Sequence, residues 1–210
     1  MLLCYQLSYV KGMGVLSQPH NPENMLTLFV YPEKELIETI NKQIFTVRKV
    51  TVHYNGNEIP LRTYVPAPEA EITDIELLFV WKNKESPFPM SDALRKSIIY
   101  VLTHYHGKQA LSFDCYAFAN TVAGIPAHKV SEMLNHWDLR GFSSPHVGDT
   151  IFFLNQKKQI LHHAVIYIGH GLYLSIYGAG GDLEISSFRD TRKGFGVKAK
   201  DVLIAVPKSI

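Results

Sequence analysis

Apolar residues in this chain fall into short runs divided by turn chemistry, which is the signature of strands. Leu2–Val10, Met25–Tyr31, Phe45–Tyr54, Glu58–Val65 and Ile75–Trp81 each predict a strand. Gly12-Met13-Gly14 and Gln18-Pro19-His20-Asn21-Pro22 divide the first two, and Asn55-Gly56-Asn57 predicts a hairpin between the third and fourth. Pro66-Ala67-Pro68 breaks the pattern, and Asn83–Pro89 reads as a loop. One early stretch differs. Behind Pro32, Leu36, Ile37, Ile40 and Ile44 recur at helical spacing, so Pro32–Ile40 predicts a helix.

The second part of the chain mixes both periods. Ser91-Asp92-Ala93-Leu94-Arg95 opens a helix that runs to about Tyr105, with Leu94, Ile98, Val101 and Leu102 as its apolar stripe. A second helix is predicted from Asp114 to Ala123, burying Phe118 and Val122 with Tyr116 or Ala119, and Gly124-Ile125-Pro126 ends it. Ala127–Trp137 predicts a third helix and Leu139–Ser144 a loop. Strands follow at Thr150–Leu154, Ile160–Ile168, Leu172–Ile176, Leu183–Phe188 and Val202–Val206, with Gly169-His170-Gly171 and Gly178–Asp182 as turns. The expected class is α+β, with a strand-rich module of unknown role at 1–88 and a mixed domain at 89–210.

Composition narrows the function classes. The chain has 210 residues, 46% hydrophobic and 19% charged, enough for one large domain or a core domain with a smaller companion. A net charge of +2 without long runs of one sign makes no electrostatic case for nucleic acid. Arg189, Arg192, Lys193, Lys198 and Lys200 read as a solvated face or loop. No segment approaches the roughly 18 apolar residues of a membrane span. Met1–Val10 lacks the basic start and cleavage site of a secretory signal, so the expected location is cytoplasmic, or reached by export without such a signal. His104 and His106 have no Cys, Asp or Glu cluster beside them, and no metal or cofactor is expected. The glycines at 178–181 lack phosphate-loop spacing and fit a hairpin.

Of the two cysteines, Cys4 lies in an apolar strand pattern and is expected to be buried, whereas Cys115 has a chemical setting. Asp114 is a good N-cap, which puts Cys115 in the first helical turn, where free N–H groups and the helix dipole favour a thiolate. A nucleophile of this kind needs a base, and Leu161-His162-His163-Ala164-Val165 supplies two imidazoles on a downstream strand. Strand alternation turns His162 and His163 to opposite faces, so only one meets Cys115.

Asp114-Cys115, then Val147-Gly148-Asp149-Thr150-Ile151-Phe152-Phe153, then His163-Ala164-Val165-Ile166-Tyr167-Ile168-Gly169-His170-Gly171 resemble the NlpC-type peptidases, papain-like cysteine enzymes many of which cut bacterial cell-wall peptides. The resemblance spans residues from about 90 to 207. CHAP amidases and lecithin retinol acyltransferase-like proteins share parts of it. It implies a papain-like core with the cysteine helix on an antiparallel sheet, His163 as the base, and a thioester acyl-enzyme. The third catalytic position of that family corresponds to Ser175. Counting outward from a three-residue hairpin loop instead brings Tyr177 opposite His163, so both stay candidates. The family's Asp before the cysteine helps hold a substrate's free amino end. Asp114 keeps that residue, while Tyr116-Ala117 replaces Ser-Gly and makes Tyr116 a candidate substrate contact that narrows the pocket. The expected activity is cleavage of a peptide or isopeptide amide, with cell-wall peptide or a protein side chain as substrate. Acyl transfer to an amine or lipid, and a binding module without catalysis, are the alternatives.

Overall fold

Alternation along Asp74–Trp81 turns Ile75, Leu77 and Phe79 into the core and leaves their neighbours half-buried. This strand organises the first of the two large sheets among the described residues. In a computed structural model, the described residues are 24–32, 37–39, 42–66, 71–107, 113–126, 134–155, 160–177 and 181–208. The predicted strand Leu2–Val10, with Cys4, and the turns at 12–22 lie outside them.

Sheet one has the order β5-β4-β1-β6-β7, with β1 Met25–Pro32, β4 Val47–Tyr54, β5 Asn57–Pro60, β6 Asp74–Trp81 and β7 Lys84–Pro87. β1 and β6 are parallel and the other pairs antiparallel. Asn55 and Gly56, at φ 49° and 75°, make the predicted tight turn. Lys82 and Asn83 do the same at φ 48° and 60°, so the expected loop at 83–89 is a hairpin into β7. A lysine is an unusual first residue for a turn that needs positive φ.

A second correction concerns Pro32–Ile40. Ile37–Thr39 (β2) pairs antiparallel with Lys42–Ile44 (β3), so the end of the predicted helix is a strand; residues 33–36 and 40–41 lie outside the described part. β-Branched Ile37, Thr39 and Ile44 suit a ribbon, whose paired strands satisfy backbone groups that a marginal helix would leave at its ends. Pro32 closes β1 instead of opening a helix.

Sheet two is antiparallel in the order β12-β11-β10-β9-β13-β8. Its strands are β8 Trp137–Gly141, β9 Thr150–Asn155, β10 Ile160–Gly169, β11 Leu172–Tyr177, β12 Asp182–Ser187 and β13 Val202–Pro207. β8 replaces the end of the expected helix at 127–137 and the expected loop at 139–144; residues 127–133 lie outside the described part. Trp137 is drawn into the strand because its ring fills the core against Phe152, 5.2 Å away.

Among the described residues, three α-helices complete an α+β fold. α1 (Asp92–His104) is capped by Ser91 and buries the predicted Leu94, Ile98, Val101 and Leu102. α2 (Cys115–Ala123) buries Cys115, Phe118, Ala119 and Asn120 and ends at Gly124, whose φ of 69° is the left-handed C-cap. α3 (Phe188–Phe195) exposes Arg189 and Lys193, two of the basic residues expected on a solvated face or loop. α1 packs on β6 and α2, and α2 packs on β10 and β11. The main core runs unbroken from Leu26, Leu28 and Leu77 through α1 and α2 to Ala164, Ile166 and Leu174. A smaller core lies on the other face of sheet two, where Ile151, Phe153, Val165 and Tyr173 meet Phe188 and Phe195 of α3. Covered on both faces, Thr150–Leu154 and His163–Ile166 are buried throughout, which is why they read as continuous apolar runs.

No helix among the described residues is long and apolar enough to cross a membrane.

Candidate active site

Asp114 does what its side chain predicts. One carboxylate oxygen accepts from the N–H groups of Tyr116 and Ala117, each at 3.0 Å, and fixes Cys115 as the first residue of α2. The Tyr116 hydroxyl donates to the carbonyl of Leu161 at 2.7 Å, so this side chain ties the head of α2 to the start of β10. The Cys115 sulfur then lies against the backbone N–H of Ala164, the residue after His163.

Strand pairing opens the space for this. β10 and β11 pair from Gly169↔Leu172 to Ile166↔Leu174. Their turn is the two residues His170-Gly171, shorter than the predicted three, but a bulge between Tyr167 and Gly169 restores the register that the longer loop would give. Beyond Leu174, Ser175 is fully buried and its hydroxyl donates to the carbonyl of Ala164 at 2.7 Å. The Ala164 peptide is thus engaged by Ser175 on its carbonyl and by the cysteine on its N–H.

His163 is 2% exposed and packed among rings. Phe195 stacks on it at 4.4 Å and 21°, Tyr177 lies 4.5 Å away at 54°, and Phe153 is at 6.4 Å. The register bulge between Leu161 and His163 leaves half-buried His162 at the irregular position. Val165 belongs to the smaller core and Ala164 to the main one, so alternation turns His163 toward α3. Its Nε2 is buried and has no hydrogen-bond partner. The Tyr177 hydroxyl donates to Thr191 at 3.3 Å and lies 3.3 Å from Ser186, whose hydroxyl is 2.6 Å from that of Thr191. The structure therefore brings Tyr177 against His163 by ring contact, while the hydroxyls of Ser175 and Tyr177 bond elsewhere.

Burial dominates the electrostatics. It pushes the Cys115 thiol up to about 12; the N–H of Ala164 opposes this, neighbouring Asp114 adds to it, and the N–H groups of Cys115 and Tyr116 oppose it again. Burial also pulls His163 down to about 3. Tyr177 is raised, first by burial, against its hydrogen bonds to Ser186 and Thr191; Glu184 and Cys115 raise it further, which puts the phenol within electrostatic reach of the thiol. In this state both the thiol and the imidazole are neutral. No group of three or more metal-ligating side chains occurs among the described residues.

Sequence reasoning missed Phe195, Ser186 and Thr191. A signal for the helix that carries Phe195 and Thr191 was present: Ser187-Phe188-Arg189-Asp190 is a helix-start pattern, realised as Ser187 accepting from the N–H of Asp190 at 3.2 Å.

No known family model matches the sequence, and no curated protein matches it. Among solved structures, an NlpC/P60 family protein from Bacillus cereus ATCC 10987 is similar over 79% of this chain, at 18% identity and a TM-score of 0.38. The matched part is 53% of that protein's chain, so this chain spans about half of its neighbour's length. A superposition this loose decides nothing about chemistry.

Proposed function

We propose that the chain is a thiol hydrolase with a papain-like core of NlpC type at 89–210, in which Cys115 is the nucleophile and His163 the base. The observation that supports this most is the placement of the sulfur at the head of α2, against the N–H of Ala164, one residue from a buried imidazole whose Nε2 has no partner. An unsatisfied buried polar atom costs about 1–3 kcal/mol. Native folds keep few of them, and a chemical role is one reason to do so.

The reaction is acyl transfer to water. The thiol proton passes to His163 as the sulfur–carbon bond forms, and then to the leaving nitrogen as the carbon–nitrogen bond breaks. The imidazole next takes a proton from water, which cleaves the thioester to a carboxylic acid and returns the thiol. The N–H of Cys115, at the helix start beside the sulfur, is the natural donor to the oxyanion. Tyr177 takes the third position through its ring, while Ser175 braces the Ala164 peptide. Asp114 holds a substrate amino end beside Tyr116, and the substrate is a peptide or isopeptide amide.

The burial of both groups favours a second role, a binding module that keeps the fold without turnover. Incubation with peptide and isopeptide substrates, read by mass spectrometry, separates the two. Cys115→Ala is expected to abolish product while the circular dichroism spectrum stays unchanged. Equal turnover in that variant removes the assignment. Addition of an amine or lipid acceptor shows whether the acyl group goes to water alone.

A further inference from the structure

We propose that α3 is a cover over the Cys115–His163 site, closed by the ring of Phe195 and opened by fraying of the helix's last turn. The two ends of α3 are built differently. At its start, Ser187 donates to the Asp190 carboxylate at 2.7 Å, Phe188 stacks on Phe142 at 4.8 Å, and Thr191 is buried in the hydroxyl cluster with Ser186. At its end, Lys193 and Gly194 are exposed, and Phe195 is the side chain that reaches inward, flat on His163.

Gly194 is the second observation. It is helical, and a methyl group in its place would meet nothing within 4 Å, so packing does not require glycine there. A glycine inside a helix lowers the stability of that turn. Gly196 follows as the left-handed cap at φ 63°. Phe195 is therefore held between two glycines, over an imidazole nitrogen with no partner, on a turn closed by the N–H of Val197 on the Arg192 carbonyl at 3.1 Å and the Arg192 side chain on the Val197 carbonyl at 3.2 Å, the bonds that fraying must break. An ordinary core aromatic seals other apolar groups. This one seals a polar atom that the proposed reaction must expose. The groups around the ring that titrate are Tyr177 and, within its electrostatic reach, Glu184 and Cys115.

The chemical half of this proposal rests on the hydrolase assignment; the structural half does not. The test follows two readouts in wild type, Phe195→Ala and Gly194→Ala: the His163 proton titration by NMR, and the rate of Cys115 alkylation by iodoacetamide near neutral pH. In Phe195→Ala the titration midpoint is expected to climb from about 3 toward the ordinary value of about 6.5, with alkylation about tenfold faster. Gly194→Ala leaves every side-chain contact in place and firms the last turn, so alkylation is expected to slow about threefold. If Phe195→Ala is too unstable to titrate, Phe195→Leu and the Gly194→Ala slowing carry the test. Unchanged midpoint and alkylation rates in all variants overturn the cover. A raised midpoint beside a thiol that stays inert supports the cover and overturns the hydrolase assignment.

Discussion

His163 is held neutral by the rings around it, and a buried neutral imidazole leaves a mark on stability. Its folded-state value of about 3 lies below the ordinary value of about 6.5. Between these values the unfolded chain binds a proton that the folded chain refuses, so stability falls as pH drops from about 6.5 toward 3 and is level above that window. His163→Phe keeps a ring for Phe195 and Tyr177 to pack on and removes both this proton and the unpartnered Nε2. It is expected to raise stability at pH 7 by about 1 kcal/mol. Between pH 6.5 and 4.5 it should lose on the order of 2 kcal/mol less than wild type. Urea denaturation at the three pH values checks this; parallel curves for the two proteins would mean that the ring titrates normally. Burial also lowers His170, but that shift is common to both proteins and cancels in the comparison. A residue whose removal stabilises the fold while ending activity is kept for chemistry.

At the scale of elements, the head of α2 was legible because its start is a local signal. Asp114 caps the helix with two 3.0 Å bonds whatever the rest of the chain does. Its negative charge also works against ionisation of the neighbouring thiol. Two substitutions separate these effects. Asp114→Ala is expected to lower stability by about 1 kcal/mol, as lost N-caps do. Asp114→Asn keeps an acceptor, so its stability should match wild type within about 0.5 kcal/mol, while Cys115 alkylates faster because the charge is gone. Thermal melts with alkylation rates read both; a large stability loss in Asp114→Asn would show that the charge, not the cap, holds the helix. Pro32–Ile40 shows the opposite case. Its helical spacing is real, yet Ile37–Thr39 pairs as a strand with Lys42–Ile44. A short helix has no net stability until another element covers its apolar face.

At the scale of the molecule, polar and ring contacts among the described residues add to the shared core in joining the two sheets. Buried His106 donates through Nε2 to the carbonyl of Leu61, and its Nδ1 accepts from the N–H of Leu183 at 3.4 Å. Arg62 pairs with Glu184 at 2.9 Å, but its side chain is 75% exposed. The His170 turn of sheet two stacks on Phe79 of sheet one at 4.5 Å, with Phe45 and Phe88 around it. The buried and exposed links should differ greatly in weight. His106→Ala removes both bonds and leaves a cavity, although the Leu61 carbonyl keeps the N–H of Tyr64, and is expected to cost about 2–4 kcal/mol. Arg62→Ala is expected to change stability by less than about 1 kcal/mol. Denaturant midpoints decide; a two-step transition in His106→Ala would show that the sheets then unfold separately.

The sequence by itself determined what depends on near neighbours along the chain: the caps of α1 and α2, the Asn55-Gly56 turn, the buried strands of sheet two, and a cysteine placed at a helix head. These follow from hydrogen bonds and spacing that span a few residues. Tertiary structure alone decided that the Asp182–Ser187 edge meets sheet one, that a bulge at Ile168 rather than a longer loop sets the register that the count along the hairpin gives, and that Phe195 lies across the imidazole. Each of these depends on which distant surfaces bury one another, and burial also sets the neutral state of the thiol and the ring. No count along the chain carries that information.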